Sequence, residues 1–437
     1  MRRYLIVSLL IGLAVTAAVL ALLRLGVFAH PAEALGRLYR GAGLLPVEAG
    51  LESGRVAEAI VAMGAAFLAA WCVIDIWHVG HKMLVFLLLM LVLAGLSPTL
   101  ALYGVLFEPF SAFTAAVLAT AAGFAYSGTE HGMRKRVLIQ ALGDRASRAT
   151  YAELMDAKER VNFAGVTRPV SVVSCRVFNI DQLREKLQPT ELVAMGNLFL
   201  RSAADFLKSH GGYLDESGPV SVRAVFGLTR EREDHADLAC RAALELRTRL
   251  RILNDECETR WFQRLELGVA VSSGPMTAGV FGEPPHYRLS AIGGGVDFAS
   301  RLAQANRRYQ SDVLVSHGTR QLVKDSFEVR PMEMVFDPER HLMIEVYQLL
   351  AATADFSESD RARRDAFWQG VIHYRSGRYR EALDRFSAAA PAAGKEDGPL
   401  AFFRDRCEAR LSGAEVAPPE PNHQLVAKGH ARLLSSM

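Results

Sequence analysis

The sequence predicts an α+β protein of three parts: a four-helix membrane domain, an α/β sandwich with a mixed sheet, and a short α-helical repeat unit. Three observations predict it. Apolar stretches long enough to cross a bilayer crowd the first third; short β-type runs then alternate with amphipathic helical patterns; small, turn and large residues recur at helix–turn–helix spacing near the end. The length, 437 residues, suits several domains. Most of the 50 Lys+Arg and 47 Asp+Glu fall after His131, a split that excludes both a secreted globular enzyme and a wholly cytosolic one. A formal net charge of +3 lacks the concentrated basic stripe that tracks phosphates, so no nucleic-acid partner is expected. The five cysteines, Cys72, Cys175, Cys240, Cys257 and Cys407, are scattered without CxxC or Cys/His spacing. They predict neither a disulfide framework nor a metal cluster, and read as thiols on a reducing face.

The membrane domain spans residues 1–128. Tyr4–Leu23 carries no charge, and a helix of about 20 residues crosses the hydrocarbon core. Ala59–His78, Met83–Phe107 and Pro109–Tyr126 are the other spans. Arg2/Arg3, the His78–Lys82 turn and Arg134-Lys135-Arg136 fall on one side, which positive-inside bookkeeping makes cytoplasmic, with the Phe107–Pro109 turn opposite. The expectation is a multi-pass protein of the inner or plasma membrane, its amino terminus and carboxy-terminal domains cytoplasmic. A cleaved signal peptide ending near Ala29 is the alternative for the first span. Asp75 sits near the inner boundary, where an acid can reach the headgroups.

Residues 129–161 form a helical linker. Met133, Val137, Leu138, Ala141 and Leu142, then Tyr151, Leu154 and Met155, recur at helical spacing, and Gly143 with the polar Asp144–Ser147 run breaks the linker into two pieces. It serves equally as a dimer-pairing signal helix or a plain spacer.

From residue 162 to 350 the pattern is α/β. Strands are expected at Val170–Phe178, Ser221–Phe226, Leu265–Ser273, Asp312–Val315 and Met343–Leu349, with helices at Pro189–Ser209, Asp234–Asn254, Asp297–Tyr309 and near Thr319. Embedded in it are His210-Gly211-Gly212, Ala224-Val225-Phe226-Gly227, Asp234-His235-Ala236 with Arg241-Ala242-Ala243, the Gly268–Gly279 run, and Ile292-Gly293 followed by Val296 and Ala299–Leu302. In that order and spacing they resemble the class III adenylate/guanylate cyclase homology domain, over about Arg168 to Leu349.

The resemblance implies a head-to-tail dimer in which one chain supplies two metal-holding aspartates and the other the purine-reading and transition-state residues. Two cations would lower the pKa of the ribose 3′-hydroxyl and neutralise the departing pyrophosphate. Here the aspartate positions hold Arg176 and Val220, next to Pro219, and neither residue binds a cation. Asp181 and Asp215 each lie five positions away, so their use requires a register change. The triphosphate loop falls on Phe336–Arg340, where Pro338 takes the lysine position and Arg340 is the remaining cation. Arg301 matches the transition-state arginine and Asp297 the asparagine, although an i,i+4 Asp–Arg pair is also an ordinary surface salt bridge. Glu216 and Ser290 occupy the purine positions; they complement guanine, and are also what drift leaves in an unused pocket. Gly293-Gly294-Gly295 reads as a phosphate cradle or a flexible turn.

Residues 362–411 resemble a tetratricopeptide repeat, with Gly370, Gly377, Tyr379, Ala382, Phe386 and Ala389 in its small, turn and large positions. One repeat cannot bury its own apolar face, so Phe367, Trp368, Tyr374 and Phe402 must pack on a neighbour. Residues 412–437, with Pro418-Pro419-Glu420-Pro421, lack apolar periodicity and read as a disordered tail.

Together these readings give a membrane-anchored cyclase-homology protein of cyclic-nucleotide signalling, inactive as a homodimer and acting as a regulatory or dimerisation module. No cofactor is expected; magnesium or manganese enters only if a partner supplies its ligands. The alternative is an active cyclase converting ATP or GTP to cyclic nucleotide plus pyrophosphate, as a heterodimer with a metal-competent chain or with unusual ligands. A structural scaffold is the third reading.

Overall fold

The computed structural model describes residues 2–43, 55–76, 79–103, 107–129, 138–156, 165–282, 288–337, 342–391 and 396–413. They form two compact units that divide between Ile139 and Gln140.

In the first unit, four helices are long and apolar enough to cross a membrane: Arg2–Arg24, Arg55–Asp75, Val79–Ala101 and Pro109–Ser127. Alanine lets them pack closely. Ala62, Ala65, Ala66, Ala69 and Ala70 meet Ala112, Ala115, Ala116 and Ala119, and a Cβ on Gly123 would press on Val73 at 3.2 Å. Small residues at such seams let helix backbones approach where lipid gives no hydrophobic drive. Leu9, Leu10, Leu84 and Leu91 face outward. The third span stops at Ala101 rather than Phe107, after Pro98 in its last turn, and the Ser97 hydroxyl donates to the Phe107 carbonyl at 2.8 Å. A further helix, Ala29–Gly41, follows the first span.

The second unit is built on one mixed sheet. Its strands are β1 (Val166–Val177), β2 (Tyr213–Ser217), β3 (Ser221–Phe226), β4 (Leu267–Phe281), β5 (Arg288–Ile292), β6 (Val313–Val315), β7 (Phe327–Asp337) and β8 (Leu342–Ala352). The order is β2-β3-β1-β4-β6-β8-β7, with β5 paired to β4; among the described residues only the β4–β6 pair is parallel. Helices Pro189–Ser209 and His235–Trp261 cover one face, where Val173, Cys175, Phe199, Leu207, Phe226 and Leu246 are buried together. The Gly294–Tyr309 helix lies on the other face. A Cβ on Gly268 would collide there with Phe178, the Ala303 carbonyl and Asn306, so glycine lets the helix sit on β4.

The linker breaks where expected: Gly143, at φ +51°, opens a 3-10 turn through Arg145, and a helix resumes at Arg148–Asp156. Glu153 pairs with Arg230 at 2.9 Å. Beyond the sheet, helices Glu358–Arg375, Tyr379–Ala388 and Gly398–Leu411 bury Phe367, Phe386 and Phe403 against Ala270, Leu302 and Leu314, so this end packs within the chain. Gly370 gives Phe386 its room. Asp397 accepts two hydrogen bonds from Arg330 of β7, at 2.6 and 2.7 Å, and the guanidinium lies 4.3 Å from the Phe367 ring centre. The expected tail lies outside the described residues apart from Ser412 and Gly413.

A buried polar chain crosses the sheet from His235, whose Nδ1 is 2.8 Å from the Ser171 hydroxyl, through Ser273 to Thr319. Burial holds the imidazole below its ordinary pKa of 6.5, outweighing Asp234 and Asp237. Folded protein therefore refuses a proton that unfolded chain accepts below about pH 6.5, so stability falls as pH drops from there toward the folded pKa. The denaturation midpoint is expected to fall between about pH 7.5 and about pH 5.5, with a shallower slope in His235→Gln. An unchanged slope in that variant contradicts the assignment.

Candidate functional site

β1 and β3 bring the two expected metal positions side by side. Arg176 pairs in register with Ser221, and the Val177 amide donates to the Val220 carbonyl at 2.9 Å. Arg176 is exposed and Val220 half-buried, so these expected positions present a guanidinium and an isopropyl group and no carboxylate. These residues do not fit a divalent cation. Among the described residues no cluster of three or more His, Cys, Asp or Glu side chains forms a metal site elsewhere. Pro219 is seated against Gly196, where an added Cβ would lie 3.2 Å from the proline Cβ.

The two nearby aspartates have different surroundings. Asp181 is 81% exposed in the short Ile180–Lys186 helix, 3.6 Å from Arg184. Asp215 is only 1% exposed, at a β-bulge between Leu214 and Glu216 that turns its side chain into the protein. Arg223 of β3 grips one of its oxygens through Nε at 2.8 Å and Nη2 at 2.6 Å; the Ser290 hydroxyl donates to the other, and Arg288 stands 3.6 Å away. The Arg145 guanidinium of the linker turn donates to the Asp215 carbonyl at 3.1 Å. A carboxylate so surrounded has its lone pairs engaged. Beside it the Tyr213 phenol, without a hydrogen-bond partner among the described residues, is pushed up to about 12 by burial.

The purine candidates belong to the same knot. Glu216 pairs with Arg223 Nη1 at 2.9 Å and accepts from Ser221, while Ser290 is committed to Asp215. The structure thus brings Glu216 and Ser290 together, but through their own protein partners. A base would have to displace a nearly buried, multiply bonded ion pair to read them.

Asp297 and Arg301 lie on the Gly294–Tyr309 helix. Ala299, Ala303 and Asn306 turn to the sheet, and Asn306 donates to the Val269 carbonyl at 2.8 Å. Asp297 is exposed and Arg301 half-buried, and no ion pair joins them. The ordinary salt bridge that their spacing allows is therefore absent. The Arg301 Nε is buried without a hydrogen-bond partner among the described residues. Gly295 is pressed onto Met276, a packing role for the glycine run. Arg340 and Pro338 lie outside the described residues.

The residue that sequence reasoning missed is Arg223. Its signal is an arginine in the apolar Ser221–Phe226 run, where the alternation aims it at the sheet face opposite Val222 and Ala224 and so demands a carboxylate partner.

Residues 165–350 match the family model described as the adenylate and guanylate cyclase catalytic domain. Adenylate cyclase 1 of Rhizobium meliloti is 24% identical over 181 residues, covering 41% of this chain and 27% of that protein. The terminal-differentiation-specific adenylate cyclase of Dictyostelium discoideum is 20% identical over 255 residues, 57% of this chain and 12% of that one. The chain thus spans about a quarter or less of the length of these two relatives. Among solved structures, the guanylyl cyclase Cya2 aligns with a TM-score of 0.40 at 21% identity, covering 44% of this chain and 97% of that one. The adenylyl cyclase CyaB of P. aeruginosa also aligns at 0.40, with 22% identity, 44% of this chain and 100% of that one. Residues 165–350 are a class III adenylate/guanylate cyclase domain, set in a chain that also carries four apolar helices and a carboxy-terminal helical unit.

Proposed function

We propose that this is a membrane-anchored cyclase-homology protein that makes no cyclic nucleotide as a homodimer and serves cyclic-nucleotide signalling as a regulatory or dimerisation module. One observation carries the reading: Arg176 and Val220 stand side by side where two metal carboxylates are needed. The internal knot of Asp215, Glu216, Arg223 and Ser290 supports it, because the groups that would read a purine already have partners. In this reading the four apolar helices anchor the chain as a multi-pass protein, with amino terminus and cyclase domain cytoplasmic, and two copies pair through their cyclase domains. Static light scattering of the intact protein in detergent is expected to return a dimer mass; a monomer mass contradicts the proposal.

A second reading is favoured by Asp297 and Arg301, which have no ion-pair partner among the described residues and face away from the sheet. In a heterodimer they would complete the site of a partner chain that supplies the aspartates, and magnesium or manganese would be held by that partner. Mixing with a metal-competent cyclase domain would then yield turnover that Arg301→Ala lowers by about 10²-fold or more. Absence of turnover in the mixture excludes this reading and leaves the first.

A further inference from the structure

The Ala29–Gly41 helix divides into three sectors at about 100° per residue. Ala32, Gly36 and Tyr39 face the protein and are buried. The Tyr39 hydroxyl donates to Ser97 at 3.0 Å, and Ser97 donates in turn to the Phe107 carbonyl, which fixes the helix at one end of the Val79–Ala101 and Pro109–Ser127 spans. On one flank lie Pro31, Ala34, Leu35 and Leu38: Leu35 is half-buried against Tyr39 and Ala101, Ala34 is exposed and Leu38 is 64% exposed. On the opposite flank lie His30, Glu33, Arg37 and Arg40, all exposed.

Two sides of a helix that differ in this way, on either edge of a buried stripe, need different solvents. Water suits the charged flank. Leucine at 64% exposure gains nothing from water and is stabilised in hydrocarbon. Exposed apolar residues also precede it in the chain: Leu25 and Val27, in the turn that leads into the helix, are 78% and 53% exposed, and Leu20, Leu13, Leu10 and Leu9 are exposed on the Arg2–Arg24 helix. Arg37 and Arg40 are exposed on the charged flank, and guanidinium groups match phosphate.

We propose that the Ala29–Gly41 helix lies in the plane of the membrane surface, its Ala34–Leu38 flank in the headgroup–acyl boundary and its Arg37 and Arg40 side chains on lipid phosphates. This extends the anchoring reading, and rests on the four apolar helices being spans. The helix would hold the ends of the Val79–Ala101 and Pro109–Ser127 spans against the bilayer by a contact that neither span itself supplies.

The test uses the intact protein in phosphatidylcholine–phosphatidylglycerol vesicles containing a lipid with a photoactivatable diazirine on its acyl chain. After irradiation, adducts are mapped by peptide mass spectrometry. Adducts on Ala34, Leu35 and Leu38 are expected within about threefold of those on Leu9, Leu10 and Leu13. Leu38→Glu should lower adduct formation on the helix about tenfold, and Leu38→Phe should keep it. Labelling of the spans without the helix overturns the proposal, as does unchanged labelling in Leu38→Glu. If the spans stay unlabelled as well, the membrane reading itself fails.

Discussion

Asp215→Ala is expected to destabilise the cyclase domain by about 3–5 kcal/mol, the usual cost of removing one partner from a buried ion pair. The carboxylate is 1% exposed and holds Arg223 by two hydrogen bonds, with Ser290 and Arg288 at its other oxygen. Truncation leaves a guanidinium that is 19% exposed with the half-exposed Glu216 and the Ser300 hydroxyl, 3.4 Å away, for compensation. Urea denaturation of the intact protein, followed at Trp261 and Trp368 in the second unit, measures the loss. If Asp215 were instead a metal ligand, the alanine variant would keep its stability in chelator and lose only a metal-dependent increment. That outcome would overturn the structural role given to it.

Phe403→Ala should cost a similar amount, about 3–5 kcal/mol, by leaving a cavity that rigid neighbours cannot fill. Its ring is 2% exposed and sits 5.6 Å from Phe367, 5.5 Å from Tyr374 and 5.7 Å from Phe386. Because the same apolar cluster includes Ala270, Leu302 and Leu314 of the sheet and its helix, the loss should lower one shared transition. A separate early transition, with the sheet unaffected, would show that the carboxy-terminal helices fold as an independent unit.

Much of this fold is legible in the sequence, because its helices are long and strongly patterned. The expected and observed Pro189–Ser209 helices coincide, and Pro189 in the first turn and the Gln188–Glu191 capping box mark the start. The strands that escaped are β2, β5 and β7. β7 reads as a poor strand because Arg330 and Glu333 interrupt it, yet both are buried: Arg330 on Asp397, and Glu333 against Tyr309, Arg308 and Arg406. Partners distant along the chain, 67 residues for Arg330 and Asp397 and 24 for Glu333 and Tyr309, make such a strand affordable, and local propensity does not see them.

The site was legible as a set of positions. The juxtaposition of Arg176 with Val220 follows from the strand register that the motif order implies. The knot did not follow, because it depends on a bulge at Asp215 and on Arg223, whose role is set by which neighbour its strand face meets. The amphipathic Ala29–Gly41 helix is also hidden, since its apolar flank is narrow and its buried stripe is made of alanine, glycine and one tyrosine rather than of several large side chains.

The most direct test of the central claim is a manganese-supported assay of the intact protein, with ATP and with GTP, measuring cyclic nucleotide by mass spectrometry. The account predicts no product above the protein-free background with either nucleotide, because the pair at Arg176 and Val220 offers no carboxylate for two-metal catalysis. Manganese-dependent product formation, abolished by Asp181→Ala or Asp215→Ala, would contradict it.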